Sequence, residues 1–190
     1  MTRQRPELWT WLGDHLAVDF ANTVRVVDGE REELVATPAD LETWLGLANG
    51  APAGPREVDE SLRRSFVELR DAALEVLHAA CSEQALPAPA SARVNAAVLD
   101  AGTCRLLGDR SRDCTYASGP GTDDTAALLG RLAAAVVDLV AMDDLANLAV
   151  CPAPLCGQFF HRARPNQRWC SAGCGNRARV DRHRHRRTAS

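Results

Sequence analysis

Apolar residues recur at every third or fourth position through much of the chain, which predicts helices rather than strands. The clearest case runs from residue 56 to about residue 86, where one face is apolar and the other is charged. The apolar face comprises Val58, Leu62, Phe66, Leu69, Ala73, Val76, Leu77 and Ala80. The charged face, which we expect to be solvated, comprises Glu60, Arg63, Arg64, Glu68, Arg70 and Glu75. A second long apolar face predicts a helix from residue 123 to about 142, with Thr122 as its N-cap.

Shorter apolar patterns predict three further helices. Thr37 followed by Pro38 is typical of a helix start, and the Asn-Gly pair at residues 49–50 is typical of a helix end. Ser91 is predicted to cap a helix that continues through Leu99. The first helix is indicated by apolar residues at i, i+4 and i+8, namely Leu16, Phe20 and Val24.

Residues 103–117 have a different pattern, because short apolar runs flank a turn-rich centre at residues 108–111. This pattern predicts one small β-hairpin. We therefore expect residues 1–145 to form a mainly α-helical domain with a single hairpin. The region contains neither a glycine-rich nucleotide-binding motif nor a phosphate-binding loop motif, so a nucleotide-binding fold has no support.

Four of the seven cysteines lie in residues 146–190, at Cys151, Cys156, Cys170 and Cys174. Two short pairs separated by a longer segment are typical of a structural zinc site, and four sulfur ligands leave no open position for catalysis. We expect one Zn²⁺ ion, a short hairpin formed by the segment between the pairs, and a helix from about Ala172, an arrangement similar to a treble clef. Chance clustering and two disulfides are the alternatives, but nothing near the N-terminus resembles a secretory signal. We therefore expect a cytoplasmic protein.

Charge is distributed unevenly between these two regions. The chain has a net charge of −3, yet residues 151–190 hold nine arginines and one acid, a net charge of +8. Residues 1–150 carry the remaining −11. A zinc ion bound by four thiolates would lower the net charge of this segment to about +6. A net charge of that size still favours a polyanionic partner. The arginines expected to contact DNA are Arg177, Arg179, Arg182, Arg184, Arg186 and Arg187. A solvated, partly disordered tail is the alternative.

Two strings resemble known families. Cys-Gly-Asn-Arg at residues 174–177, preceded by Arg-Trp-Cys-Ser, is similar to the CGNR zinc finger, a bacterial module, and this resemblance covers about residues 148–187. That family often has an acidic residue where this chain has His161. Residues 16–23 resemble the opening of the ABATE domain, which is described as a "putative stress-induced transcription regulator" and commonly precedes a CGNR finger. The resemblance implies a transcription regulator that binds DNA.

Asp19, Asn22 and Arg25 are the candidates for a ligand pocket in the body. They could fix a small-molecule effector, or Asp19 and Asn22 could satisfy helix ends and interhelical hydrogen bonds. His15 lies one helical turn from Asp19, but no catalytic arrangement follows from spacing, so we expect no enzyme. No apolar run is long enough to span a membrane. The alternative function is an adaptor whose zinc module binds a protein or an RNA, and the sequence leaves a homodimer open.

Overall fold

Helices form most of this structure, a computed structural model that describes residues 12–27, 30–51, 54–107, 114–141 and 143–188. The helices are α1 (Leu16–Ala21), α2 (Pro38–Leu47), α3 (Glu60–Cys81), α4 (Ala88–Asp100), α5 (Asp124–Ala141) and α6 (Ala172–Thr188). The strands are β1 (Val24–Val27), β2 (Glu30–Glu33), β3 (Cys104–Leu107), β4 (Cys114–Ala117), β5 (Leu148–Val150) and β6 (Phe159–His161). A 3-10 helix at Asp143–Asn147 joins α5 to β5. The predicted fold class is therefore confirmed: mainly α, with small antiparallel hairpins and a C-terminal cysteine-containing module.

The core of the body lies where α1, α2 and α3 meet. Phe20, Trp44 and Phe66 are each fully buried there. The Phe66 ring centroid lies 4.9 Å from that of Phe20 and 5.1 Å from that of Trp44, both edge to face. Edge-to-face ring contacts stabilise the folded state beyond the hydrophobic effect of burying the rings. These three side chains therefore hold α1 and α2 against α3. Helices α4 and α5 pack on α3 and extend the core.

Side-chain caps set the starts of the helices. Thr37 caps α2, as predicted from the Thr-Pro pair, and Asp40 completes a reciprocal capping box with it. Helix α3 begins at Glu60 rather than Arg56, because the Asp59 carboxylate accepts a hydrogen bond from the Leu62 N–H. Asp123 rather than Thr122 caps α5, since its carboxylate accepts from the Ala126 N–H at 2.9 Å. Helix α4 begins at Ala88, before Ser91, with a proline in its first turn.

A hairpin follows α1, where the sequence pattern had suggested continued helix to Val24. Helix α1 ends at Ala21, and β1 pairs with β2 in a register that places Val24 opposite Glu33 and Val27 opposite Glu30. The β-branched residues of β1 and the Asp-Gly pair at 28–29 are a hairpin signal. The signal is weak because β2 consists entirely of charged residues and so shows no alternation of apolar and polar side chains.

Arg70 corrects the prediction of a uniformly solvated face on α3, because its side chain is completely buried. Its terminal nitrogens donate to the two Glu33 carboxylate oxygens at 2.7 and 2.5 Å, and it also contacts Thr23 and Asp71. Burial alone would raise the pKa of Glu33, but the hydrogen bonds from Arg70 outweigh it and lower that pKa. This two-pronged ion pair ties the β1–β2 hairpin to α3.

The second hairpin confirms the prediction made for residues 103–117. Strands β3 and β4 pair with Cys104 opposite Ala117 and Leu107 opposite Cys114, while the predicted turn at 108–111 lies outside the described residues. Nearby, α4 and α5 approach so closely that a methyl group at Gly130 would lie 2.3 Å from the Ala101 Cβ. Only glycine fits at that crossing.

The C-terminal module combines one hairpin and one helix. Strands β5 and β6 pair antiparallel, with Leu148 opposite His161 and Val150 opposite Phe159. The hairpin therefore encloses the first cysteine pair, which corrects the expectation that it would lie wholly between the two pairs. Helix α6 begins at Ala172, as predicted. No helix in the described part of the chain is long and apolar enough to cross a membrane.

Candidate metal centre

The first cysteine pair sits in a tight turn at the end of the β5–β6 hairpin. The Cys151 N–H donates to the Gln158 carbonyl at 2.8 Å, and the Cys156 N–H donates to the Ala153 carbonyl at 3.2 Å. Leu155 and Gly157 adopt the left-handed backbone conformation, with φ of 60° and 68°. Glycine takes this conformation without cost, whereas leucine does so only where surrounding contacts enforce it. The turn therefore directs both thiols to the same side.

The second pair is positioned by the start of α6. Cys170 precedes the helix and Cys174 lies in its first turn. Ser171 caps this end, because its hydroxyl accepts from the Cys174 N–H at 3.2 Å and its carbonyl accepts from the Gly175 N–H at 3.1 Å. The position of α6 is thus fixed by the same residues that hold the sulfur atoms.

The four sulfur atoms lie at the spacing that a tetrahedral zinc site requires. All four ligand atoms lie within 4.8 Å of one another. The sulfur of Cys156 lies 3.7 Å from that of Cys170 and 3.6 Å from that of Cys174, and the last two are 3.5 Å apart. A Zn–S bond of about 2.3 Å in a tetrahedron places the sulfurs about 3.8 Å apart. Cys151, Cys156, Cys170 and Cys174 therefore form a single zinc site, and the predicted cofactor is confirmed.

The thiols of the cluster differ in acidity when no metal is bound. Hydrogen bonds from neighbouring thiols, above all that of Cys170, lower the pKa of Cys156 to about 5. The pKa of Cys170 moves in the opposite direction because its thiol donates to Cys156, and burial raises the pKa of Cys151. The cluster without metal therefore keeps protons on some sulfurs, and zinc binding displaces them.

Two hydrogen bonds around the sulfurs support the thiolate form. The Cys170 N–H points at the Cys151 sulfur at 3.5 Å, and an Arg177 terminal nitrogen donates to the Cys174 sulfur at 2.9 Å. An arginine next to thiolates partly offsets the −2 charge of a zinc tetrathiolate. Arg177, which we predicted to contact DNA, thus has a contact at the metal centre.

The finger has little apolar core of its own. Its buried cluster consists of Ala149, Cys151, Ala153, Cys156, Phe160 and Cys174, and half of these are metal ligands. Phe159 of β6 belongs to the core of the body and contacts His78 there, with ring centroids 4.7 Å apart. So few apolar contacts cannot hold α6 in place without the metal.

Polar side chains of the body attach it to strand β6. Asn22 donates to the Phe159 carbonyl and accepts from the Phe159 N–H, each at 2.9 Å, in a buried position. The Asp14 carboxylate accepts from the His161 N–H at 3.0 Å, and its other oxygen contacts the His161 ring nitrogen at 2.5 Å. Burial would raise the pKa of Asp14, but its hydrogen bonds to His161 and His15 lower it. No local pattern distinguishes Asp14, since its partner His161 is 147 residues away along the chain.

Asp19 has a structural contact of a different kind. Its buried carboxylate accepts from the N–H groups of Gly13 and Asp14, at 2.9 and 3.3 Å, and so holds the turn before α1. Because burial disfavours the charged form, the pKa of Asp19 rises to about 6. Asp19 is absent from the lining of the large cleft between body and finger. That cleft, of about 540 Å³, is lined by residues that include Asn22, Arg25, Gln158 and Arg177. Effector binding by Asp19, Asn22 and Arg25 stays a prediction.

The arginines of α6 lie along an exposed helix. Arg177, Arg179, Arg182 and Arg184 are all exposed. The Arg182 Nε donates to the Ala178 carbonyl, one turn earlier. The structure describes the backbone of Arg186 and Arg187, which continues α6, but not their side chains. The predicted DNA contacts of these two residues therefore fall outside the described part of the chain.

Family models match two consecutive parts of the chain. One, ABATE, is described as "Putative stress-induced transcription regulator" and matches residues 14–143, more than half of the chain. The other, described as CGNR zinc finger, matches residues 147–187, which contain all four cysteines of the metal centre. Both resemblances inferred from the sequence are thereby confirmed. No curated protein matches the chain.

Proposed function

Since the chain belongs to the ABATE family and ends in a CGNR zinc finger, we propose that it is a DNA-binding transcription regulator of the cytoplasm. The carrying observation is that α6, an exposed helix with six arginines, begins at the zinc ligands Cys170 and Cys174. The metal would fix the start of the helix. The helix would then lie in a groove of the DNA, with its arginines facing the phosphates and the base edges. The proposed role is regulatory and includes no catalytic step.

Charge and exposure support α6 as the DNA-contacting element. Arg179, Arg182 and Arg186 are spaced i, i+3 and i+7, so their positions share one face of the helix. Within the described part of the chain, no carboxylate lies within ion-pair distance of Arg179 or Arg182. Guanidinium groups without an acidic partner need not break an ion pair to reach a phosphate or the O6/N7 edge of a guanine.

A salt series with duplex DNA tests the proposal. Each phosphate contact adds about 0.9 to the steepness with which the logarithm of affinity falls against the logarithm of salt concentration. We expect the zinc-loaded full chain to show a slope of about −4 to −5, and an Arg179→Ala/Arg182→Ala variant to be shallower by about two. The matched control is Arg56→Ala/Arg64→Ala, which removes two exposed arginines from the acidic body and should leave the slope unchanged.

Two outcomes would overturn this function. Failure of the zinc-loaded full chain to bind duplex DNA at low salt would refute it, and binding to RNA or a protein instead would establish the adaptor alternative. Selection of bound DNA from a random pool then separates a regulator from a non-specific binder. An arginine that reads guanine should lose about 1–3 kcal/mol of discrimination at one base pair when it is replaced.

A further inference from the structure

The loop between β6 and α6 carries a second group of arginines that the proposed function has not used. Arg162, Arg164 and Arg168 are all exposed. In the part of the chain that the structure describes, none of the three lies within ion-pair distance of a carboxylate. Three cations within seven residues, with no acid nearby in sequence, repel one another and favour an anionic partner.

Hydrogen bonds preorganise this loop. The Gln167 N–H donates to the Arg164 carbonyl at 2.9 Å, which closes a turn with Pro165 in its second position. The Gln167 side chain then joins both ends of the loop, because its carbonyl oxygen accepts from the Ala163 N–H at 2.9 Å and its nitrogen donates to the Trp169 carbonyl at 3.1 Å. The loop backbone is therefore held in place before any partner arrives, which lowers the entropy cost of binding.

The turn forms one wall of an open cleft of about 490 Å³. Val150 and Pro152 line it from the β5 side, while Arg162, Asn166 and Arg168 line it from the loop. Two guanidinium groups and an amide around one depression are the donor groups that a phosphate accepts from.

Trp169 connects the cleft to the start of α6. The Arg168 guanidinium carbon lies 5.6 Å from the centre of the Trp169 ring. That ring lies over Gly175 in the first turns of α6, since a methyl group there would be 3.5 Å from Trp169 and 4.0 Å from an Arg179 terminal nitrogen. Trp169 therefore lies close both to the loop arginine Arg168 and to the first turns of α6.

We propose that Arg162 and Arg168 form a second phosphate-binding site, which holds one strand of the DNA backbone while α6 contacts the groove. This inference rests on the proposed function and extends it, because it assigns part of the DNA contact to a loop outside the helix. It also implies that the finger binds through two elements whose relative position the zinc site fixes.

The test compares paired variants of the full, zinc-loaded chain on one mixed-sequence duplex, between about 50 and 200 mM salt. We expect Arg162→Ala/Arg168→Ala to make the slope shallower by about two, with zinc content and melting temperature unchanged. Arg162→Lys/Arg168→Lys keeps both charges and should retain most of the slope. The body pair Arg56→Ala/Arg64→Ala is again the control.

The outcomes separate this site from the general function. An unchanged slope for the loop variant, while the α6 variant becomes shallower, would overturn the second site and leave the proposed function standing. Absence of DNA binding by the unaltered protein would overturn both. A loop variant that loses zinc as well as affinity would show that these arginines stabilise the finger, which also contradicts the proposal.

Discussion

Different interactions stabilise the body and the finger. In the body, helices α1 to α5 bury aromatic and aliphatic side chains such as Phe20, Trp44 and Phe66 in a common core. In the finger, half of the residues in the small buried cluster are zinc ligands. Apolar burial scales with the size of a domain, whereas four sulfur–metal bonds do not, so a short segment can be ordered by a metal when it cannot be ordered by a core.

This difference also separates the charges. The finger carries +8 before metal binding and the body carries −11. A segment that depends on a metal can give most of its surface to arginine, since it needs few apolar residues. Under the proposed function, the acidic body should repel DNA, so that only the finger would contact it.

The largest expected effect comes from removing a zinc ligand. Cys170→Ser should abolish stoichiometric zinc binding and unfold the finger, because structural zinc contributes on the order of 10–16 kcal/mol in comparable modules. The body should keep its cooperative thermal transition, since its core includes none of the ligands and the finger strands add to it only the side chains next to α3, such as Leu148 and Phe159. Metal analysis and calorimetry measure the two effects separately. Full zinc content in the variant would contradict the assignment of the site.

The next effect tests whether the body also depends on one polar contact. Arg70→Met removes the buried cation and leaves Glu33 without its main partner, which should destabilise the body by about 3–5 kcal/mol. Arg64→Met, an exposed position on the same helix, is the control and should change stability little. A double Arg70→Met/Glu33→Gln variant should recover part of the loss. Equal stabilities of the two single variants in denaturant would show that the buried pair does not stabilise the body.

A smaller effect concerns the attachment of the two regions. Asn22→Ala leaves the buried N–H and carbonyl of Phe159 without side-chain partners, at a cost of about 1–3 kcal/mol. We expect faster hydrogen exchange at the Phe159 amide and faster zinc release to a chelator. Asn95→Ala, on the exposed side of α4, is the control. Unchanged exchange and melting temperature would argue that Asn22 acts on a ligand rather than on the finger.

An effect of similar size is a pH dependence within the body. Burial raises the pKa of Asp19 from its ordinary value of 3.8 to about 6 in the folded protein, so the folded state binds a proton more tightly than the unfolded state does. Its contribution to stability is therefore complete below about pH 4 and is lost as pH rises through about 6. In Asp19→Asn this dependence should be absent. Denaturant titrations between about pH 4 and pH 7 measure the free energy of unfolding of both proteins. The wild-type value should fall relative to that of the variant as pH rises, and a difference that does not change with pH would contradict the raised pKa.

Local patterns predicted much of both regions. The α2 cap at Thr37, the helical period of α3 and the spacing of the four cysteines are each contained in one continuous segment, so the sequence reveals them. The family resemblances rested on equally short strings and were confirmed over most of the chain.

Long-range polar pairing could not be predicted in the same way. Arg70 belongs by spacing to the charged face of α3, and only the β1–β2 hairpin brings Glu33 close enough to bury it. Asn22 and Phe159 are 137 residues apart in sequence. The residues around Asn22 therefore do not reveal whether its side chain holds strand β6 or binds a ligand. The hairpin itself was missed because a strand of four charged residues has no apolar alternation.

The most direct test of the central claim is DNA affinity of the full chain before and after zinc removal and after zinc is restored. If the metal-held finger contacts DNA and the body stands on its own core, affinity should disappear with zinc and return with it. The calorimetric transition of the body should persist throughout. DNA binding that survives complete zinc removal, or a body that unfolds together with the finger, would contradict the account.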